Sequence, residues 1–411
     1  MTDSRREAVD VPDENRRVIA ILALHLLGEN IGTGGDRVLV EFAKRWRRSG
    51  REVVVVAPAT APASLQEQTG APTRFVKSTP FDGRPGLFAI PFAYLFRAIR
   101  GIPIVSGVGA DAIYSGGDFI CNVFPGVWAK SRSPQCPRLA VSIHHINANP
   151  FTRRGNSRIA SMVSYVLQRL SFRLIKRHAD IIFVLNGAVK SQLVDLGFDP
   201  ARIVITGAGV DLGRIDQAET PAEPQFDACF AGRLNPTKGI FDLAPTWRKV
   251  VDQLPDAKLL VMGGSDEWRG ALKSEIAGQG LEKHISIAGF VPDEDYYSSI
   301  KRCRVFIAPS YEEGFNIALC EAMACGLPAV TYSLPVYREL FGDGPTLAPT
   351  GDTGATAREI VKLLTDKQHH YERAAAATKA ARRYDWELVA STALAAIDSK
   401  DVQPVRAGRG E

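Results

Sequence analysis

From Arg17 the chain passes through the apolar, β-branched run VIAILAL, reaches the glycine turn GTGGD, enters a helical stretch and then meets the all-apolar EVVVVAP. The predicted order is strand, turn, helix, strand. In the helical stretch Val38, Leu39, Phe42, Ala43 and Trp46 recur at the spacing of one helix face, while Lys44, Arg45, Arg47 and Arg48 take the other face and Gly50 ends the element. Similar apolar runs return at AVSI, DIIFVL and RIVIT. Continuous apolar strands separated by amphipathic helices belong to a parallel sheet covered on both faces, so the first half reads as one doubly wound domain.

After Asp211 the segment GRIDQAETPAEPQ, polar and proline-bearing, reads as a connector. The pattern then restarts with DACFAG, a helix near FDLAPTWRKVVDQL, the strands KLLVMGG, HISIAGF and RVFIAPS, and a helix ending near Cys325. The expected organisation is α/β: a disordered tail over 1–16, a Rossmann-like domain over 17–212, a linker over 213–225, a second Rossmann-like domain over 226–383, a last helix over 384–398 and a tail over 399–411. Two such domains in tandem leave a cleft facing the carboxyl ends of both sheets, where open α/β folds bind ligands.

Composition narrows the class without naming a function. With 411 residues the chain exceeds what one core supports, and 45% apolar against 23% charged residues is ordinary for a globular protein. A net charge of +5 is too mild to argue for nucleic acid. The six cysteines form no C-x-x-C pair and read as reduced packing residues. The charged N-terminus lacks the apolar core of a secretory signal, so a cytoplasmic location is expected. The apolar stretch Leu87 to Phe96 is expected to stop at Arg97 and Arg100, well short of the roughly 20 residues that cross a bilayer.

Two segments carry candidate chemistry. In PSYEEGFNIALCEAMACGLP, from Pro309 to Pro328, a strand leads through Glu313 and Gly314 into a helix whose first free N–H groups suit an anion, and Glu321 lies about two turns further in. Carboxylates at the two ends suit the paired hydroxyls of sugars. In GRLNPTKG, from Gly232 to Gly239, Arg233 and Lys238 stand between a strand and a helix, where two cations can neutralise a diphosphate. Taken singly, the glutamates could be a solvated helix face and the cations surface charges of a βα turn.

In their order and spacing GTGGDRVLVEFAKRWRRSG, the His of VSIHHI, ADIIFVLN, GVDLGRI, GRLNPTKG, AGFVPDEDYY and the Glu-x7-Glu pair make the chain resemble, over nearly its whole length, the family 4 retaining glycosyltransferases of the GT-B fold. The resemblance implies that Arg233 and Lys238 bind the diphosphate of a nucleotide-sugar donor, Glu321 its ribose and Glu313 the transferred sugar. The main chain of Gly314, Phe315 and Asn316, with Ile317, would meet sugar and phosphate. Gly34 and Gly35 would close over them from the first, acceptor-binding domain, and Gly289, Phe290 and Val291 would line the base pocket. His144 aligns with the family histidine that touches the sugar, although His145 beside it and a buried structural role are alternatives. The last helix resembles the family's crossover back onto the first domain. Asn186, where the family often has Ser, and GAGVD are departures outside the proposed chemistry.

The expected function is therefore retaining transfer of a hexosyl unit from a UDP- or GDP-sugar to a saccharide or lipid-linked acceptor, in cell-surface polysaccharide or glycolipid synthesis. No cofactor and no metal is expected, because the acidic run Asp293, Glu294, Asp295 reads as a surface loop without His or Cys beside it. A sugar-nucleotide epimerase, which would convert donor without acceptor, and a non-catalytic sugar-nucleotide or polysaccharide-binding protein are the rivals.

One further segment stands apart. Residues 151–178 hold Arg153, Arg154, Arg158, Arg169, Arg173, Lys176 and Arg177 beside the stripe Ile159, Met162, Val163, Val166, Leu167, Leu170 and Leu174. Such a helix either packs its stripe on the sheet or rests on anionic lipid at the inner face of the plasma membrane.

Overall fold

A computed structural model of the chain describes residues 17–26, 33–82, 89–147, 158–264 and 266–399; the expected tail at 1–16, all but Ser399 of the expected tail at 399–411, and residues 151–157 of the basic segment lie outside the described residues. In the first half, β1 (Val18–Leu22), β2 (Glu52–Pro58), β3 (Thr73–Val76), β4 (Ala112–Ser115), β5 (Arg138–Ile143), β6 (Ile181–Val184) and β7 (Ile203–Ile205) form one parallel sheet in the order β3-β2-β1-β4-β5-β6-β7. In the second, β8 (Phe226–Ala231), β9 (Leu259–Met262), β10 (Ile285–Gly289), β11 (Cys303–Ala308), β12 (Ala329–Tyr332) and β13 (Thr346–Ala348) form another, ordered β10-β9-β8-β11-β12-β13. The GT-B architecture of two Rossmann-like domains is present. Central strands such as β4, β6, β9 and β12 are buried along their whole length, as strands covered by helices on both faces must be.

The strands β3, β4, β12 and β13 escaped the sequence reading. Polar or small residues interrupt the apolar run in each (TRFV, AIYS, AVTY and TLA), and β3 is an edge strand whose Phe75 is exposed. The connector expected over 213–225 begins with a short helix, Leu212–Gln217, capped by the Asp211 side chain.

The first helix runs Gly34–Arg48, started by a capping box between Thr33 and Asp36. Its apolar face joins Tyr114 and Phe183 in an aromatic cluster with Phe42 and Trp46. Arg45, expected on a solvated face, is buried and ion-pairs with Glu41. The cause is the last helix, Trp386–Asp398, which returns to cover this face: Trp46 Nε1 donates to the Ala390 carbonyl at 2.9 Å, and Arg45 Nε lies 3.2 Å from Glu387 Oε1. Entry to that helix is fixed by Val210 N donating to Tyr384 O and Trp386 N donating back to Val210 O. A Cβ at Gly209 would meet the Trp386 backbone nitrogen at 2.8 Å, so only glycine admits this approach.

Arg97 and Arg100 do not stop their apolar stretch. The helix runs Ala89–Ser106, long and apolar enough by length and composition to cross a membrane, yet it packs against the helix Ile120–Arg132. Arg97 is buried because all its donors are used: Nη1 reaches the carbonyls of Leu24 and Leu26 at 2.9 Å, and Nη2 reaches Asp82 Oδ1 at 2.7 Å. On its outer side Ile90, Phe92, Leu95, Phe96 and Ile99 remain exposed.

The helix Arg158–His178 carries the basic segment, but it buries Gln168, Ser171, Phe172 and Ile175 and leaves Ile159, Val166 and Leu170 of the expected stripe exposed. The stripe is therefore divided: Leu174 packs against the core, whereas Ile159, Val166 and Leu170 face outward. The acidic run at 293–295 is the first turn of a helix, Asp293–Lys301, where carboxylates favour the dipole, and not a loop. Of the six free cysteines, Cys121, Cys229, Cys303 and Cys320 are buried.

Candidate active site

Each sheet reverses its order beside its first strand, with β1 next to β4 and β8 next to β11. At such switch points the loops leaving the carboxyl ends diverge and open a crevice. Here both crevices face each other. The turn at Gly34 and Gly35, the loop Gly116–Phe119, the turn carrying Arg233 and Lys238 and the segment Ser310–Ile317 line one cavity of about 1270 Å³.

On the second-half side, β8 leads into a 3-10 turn, Pro236–Lys238, whose cap Asn235 accepts from Thr237 N at 2.9 Å. Gly239 follows with φ 69°, and a Cβ there would lie 1.9 Å from the Pro309 carbonyl oxygen. That approach brings the end of β8 against the end of β11. Lys238 Nζ consequently donates to Glu313 Oε1 at 2.7 Å, and Ser310 Oγ donates to the same oxygen at 2.8 Å. Arg233 is exposed at the cavity and has no ion-pair partner among the described residues.

Asn316 holds a left-handed conformation at φ 69°, caps the helix Ile317–Ala324 through Leu319 N at 3.1 Å and donates to Tyr337 Oη at 2.8 Å. Phe315 turns inward against Phe341 and Tyr384, so this residue offers the cavity only its main chain and not an open ring. Glu321 is 5% exposed and accepts from Tyr297 Oη at 3.0 Å. Burial pushes its carboxyl above the usual range, against the opposing pull of Arg37 and of the Tyr297 and Tyr296 hydroxyls.

Arg37 was not a sequence candidate. It leaves the first turn of helix Gly34–Arg48, pairs with Glu41 at 3.1 Å and reaches Asp293 of the second half at 3.4 Å. Its place beside Asp36 in GGDRVLVE marks only a helix start; the partner 256 positions away is a matter of tertiary structure.

On the first-half side, β5 delivers His144, whose Nε2 donates to the Gly116 carbonyl at 3.2 Å. Burial pushes its imidazole down to about 4, so it is neutral at neutral pH. A Cβ at Gly35 would stand 2.9 Å from His144 Cδ2, and one at Gly314 would stand 3.2 Å from the His144 carbonyl oxygen. Both glycines exist to let backbones close on this histidine. His145 also lines the cavity but is exposed. Asn186 takes part after all: it caps the helix Gly187–Asp195 and donates across the cleft to the Gly314 carbonyl at 2.6 Å.

Beneath the glycine turn lies a buried network. With the Asn122 amide donating to His25 Nδ1 at 2.9 Å, His25 Nε2 donates to Asp36 Oδ1 at 3.1 Å. Burial opposes the Asp36 charge, but His25 and Thr33 outweigh it and hold the carboxyl below its ordinary range. Asp118 also faces the cavity, and burial pushes its carboxyl up to about 6. Neither group has a local sequence signal, since its partners come from elements far apart in the chain.

The structure thus brings Gly34, Gly35, His144, Arg233, Lys238, Glu313, Gly314, Phe315, Asn316, Ile317 and Glu321 to one cavity. Of the expected base-pocket residues, Phe290 lines it, whereas Gly289 lies against Arg269 and Val291 packs on the core. Among the described residues no group of three or more His, Cys, Asp or Glu side chains could hold a metal ion.

Comparison with known proteins agrees with this architecture. Residues 213–384 match the family model for glycosyl transferases group 1, and residues 33–209 match that of the glycosyl transferase 4-like domain. A phosphatidyl-myo-inositol mannosyltransferase of Mycobacterium leprae is 28% identical over 377 residues, covering 86% of this chain and 89% of that protein. One of Mycobacterium tuberculosis H37Rv is 30% identical over 273 residues, covering 63% and 70%. The solved sucrose-phosphate synthase of Thermosynechococcus elongatus shares the fold with a TM-score of 0.74 at 17% identity, over 92% of this chain and 97% of that one. Two family models in tandem, on the two sheets whose switch points meet at one cavity, establish that the chain belongs to the family 4 glycosyltransferases of the GT-B fold.

Proposed function

We propose that this glycosyltransferase moves a hexosyl unit from a UDP- or GDP-sugar to a saccharide or lipid-linked acceptor, with retention of configuration and without a metal ion. The observation that carries the reading is the Lys238–Glu313 contact at 2.7 Å, beside Arg233, which has no ion-pair partner among the described residues, and at the mouth of the helix holding Glu321. Arg233 and Lys238 stabilise the departing diphosphate, whose charge grows in the transition state. Glu313 accepts hydroxyls of the sugar once Lys238 turns to phosphate, and Glu321 accepts those of the ribose. The diphosphate oxygen takes the acceptor's proton on the face it leaves, so no separate base is required. Neutral His144, whose one N–H is held by the Gly116 carbonyl, keeps Nδ1 as an acceptor for a hydroxyl of the sugar without adding a charge.

The relatives named phosphatidyl-myo-inositol mannosyltransferases favour a mannosyl unit and an inositol-lipid acceptor. A lipid also suits the cavity wall, where Ile90, Pro91, Val163 and Leu167 bring apolar surface from two helices. Outside it, the exposed Phe92, Leu95, Phe96 and Ile99 and the basic helix Arg158–His178 belong to the same half, and together they favour peripheral contact with an anionic cytoplasmic membrane surface.

The test is nucleotide release from UDP-, GDP- and ADP-sugars by wild type and Glu321→Ala, in chelator, with and without phosphatidylinositol vesicles. Release from one donor, raised by the vesicles and lost in the variant, is expected. Release that needs an added divalent ion would remove metal independence, and absence of both release and nucleotide binding would remove the donor reading.

A further inference from the structure

The cavity wall contributed by β4 holds a carboxyl and an aromatic ring that the donor chemistry does not use. We propose that the loop Gly116–Phe119 is the acceptor subsite, in which Phe119 stacks on the C–H face of a hydroxylated six-membered ring and Asp118 accepts hydrogen bonds from that ring's hydroxyls. The ring is a pyranose or a cyclitol. This deepens the transferase reading and rests on it.

Phe119 is 40% exposed although it sits inside a pocket. One of its faces lies on the His25 ring, with centroids 4.6 Å apart and planes 8° from parallel, and Tyr94 meets it edge-on at 5.8 Å. Backed in this way, the ring is a rigid slab with its second face open, and the electron-rich face of an aromatic attracts the weakly positive C–H face of a sugar. A Cβ on Gly117 would stand 2.9 Å from Phe119 Cδ2, and one on Gly116 would stand 2.3 Å from Leu39 Cδ1. Gly117 therefore sets the ring's position, and Gly116 lets the loop close on Leu39 of the first helix.

Asp118 is held by Gln168, whose Nε2 donates to its Oδ2 at 2.8 Å. Gln168 is itself fully committed, donating to the His145 carbonyl and accepting from Asn147 N, both at 2.8 Å. The carboxyl is thus aimed by a fixed partner, and no cation pairs with it among the described residues. A carboxylate without a counter-ion, in a cavity, is a strong acceptor for neutral hydroxyls. Burial that pushes it up to about 6 leaves it ionised at neutral pH. The loop is tied to the transfer point, because the Gly116 carbonyl accepts from His144, the residue packed against Gly35 and Gly314.

The experiment is saturation-transfer NMR on the full chain with methyl α-D-mannopyranoside and, separately, myo-inositol, each in the presence of the nucleoside diphosphate that binds. Saturation of ring protons of one probe by wild type is expected, identifying pyranose or cyclitol. Asp118→Asn should weaken that probe about 10- to 100-fold, as loss of a bond to a charged group does, and Phe119→Ala should weaken it about 2- to 10-fold. Gly117→Ala, which leaves both side chains in place but displaces the ring, should weaken it as well. Nucleotide signals should stay at the wild-type level in all three. Probe binding that is unchanged in Asp118→Asn and Phe119→Ala overturns the proposal, as does nucleotide binding by wild type with no saturation of either probe. Failure of wild type to bind nucleotide would instead sink the donor reading.

Discussion

The two halves of this glycosyltransferase use the same strand plan, yet their switch points carry opposite chemistry. After β8 and β11 the chain places Arg233, Lys238, Glu313 and Glu321, a set of full charges. After β1, β4 and β5 it places Gly34, Gly35, Gly116, a neutral His144 and the Asp118 carboxyl, with Asp36 and Arg37 beside them already paired to His25 and Glu41. A diphosphate leaving group develops charge and needs cations already in position, whereas a hydroxylated acceptor needs shape and hydrogen-bond acceptors. One backbone plan serves both because the loops, and not the sheet, meet the ligand.

If that contrast is correct, Lys238→Ala should produce the largest loss, a fall in turnover of about 10²- to 10³-fold, as removal of one transition-state donor does. Single-turnover transfer measures it; a variant with wild-type turnover would erase the distinction between the halves. Gly35→Ala should follow. Its Cβ would sit 2.9 Å from His144 Cδ2, and displacing a substrate-facing group by the order of 1 Å costs up to about 10²-fold. The double variant Gly35→Ala/His144→Ala should lose less than the sum of the two logarithmic effects, because the clash disappears with the ring.

The smallest effect concerns pH and stability. The His144 pKa is lowered from 6.5 to about 4 by burial, so between these values the unfolded chain binds the extra proton. This contribution to stability is whole above pH 6.5 and declines as the pH falls towards 4. Asp118, raised from 3.8 to about 6, works in the opposite direction, since its folded form takes the proton first. Urea midpoints at pH 7.5 and 5 should therefore fall more for wild type than for His144→Gln. Equal shifts would mean that His144 is not buried neutral.

How much was legible in advance varies with the range of the interaction. The Glu313 to Glu321 segment and the Arg233–Lys238 turn were readable as cavity residues because each lies in one strand–turn–helix unit, where spacing alone aims the groups. Arg45 was misplaced because the helix that buries it begins 341 positions later, at Trp386. Arg37, Asp118 and Asn186 were missed because each acts on a partner from a distant element or from the opposite half. Val291 was assigned to the base pocket from its neighbourhood in the chain, but its side chain turns to the core while that of Phe290 turns to the cavity.

The sequence by itself determined the two parallel sheets, the cleft between them and the chemical types at the donor end, because hydrophobic period and short-range spacing act within tens of residues. The tertiary structure alone decided which charges are buried, which glycines are obligatory and that the Asp118 carboxyl faces the cavity. Those properties depend on what the rest of the chain brings alongside, at distances of a few ångströms that no local pattern encodes.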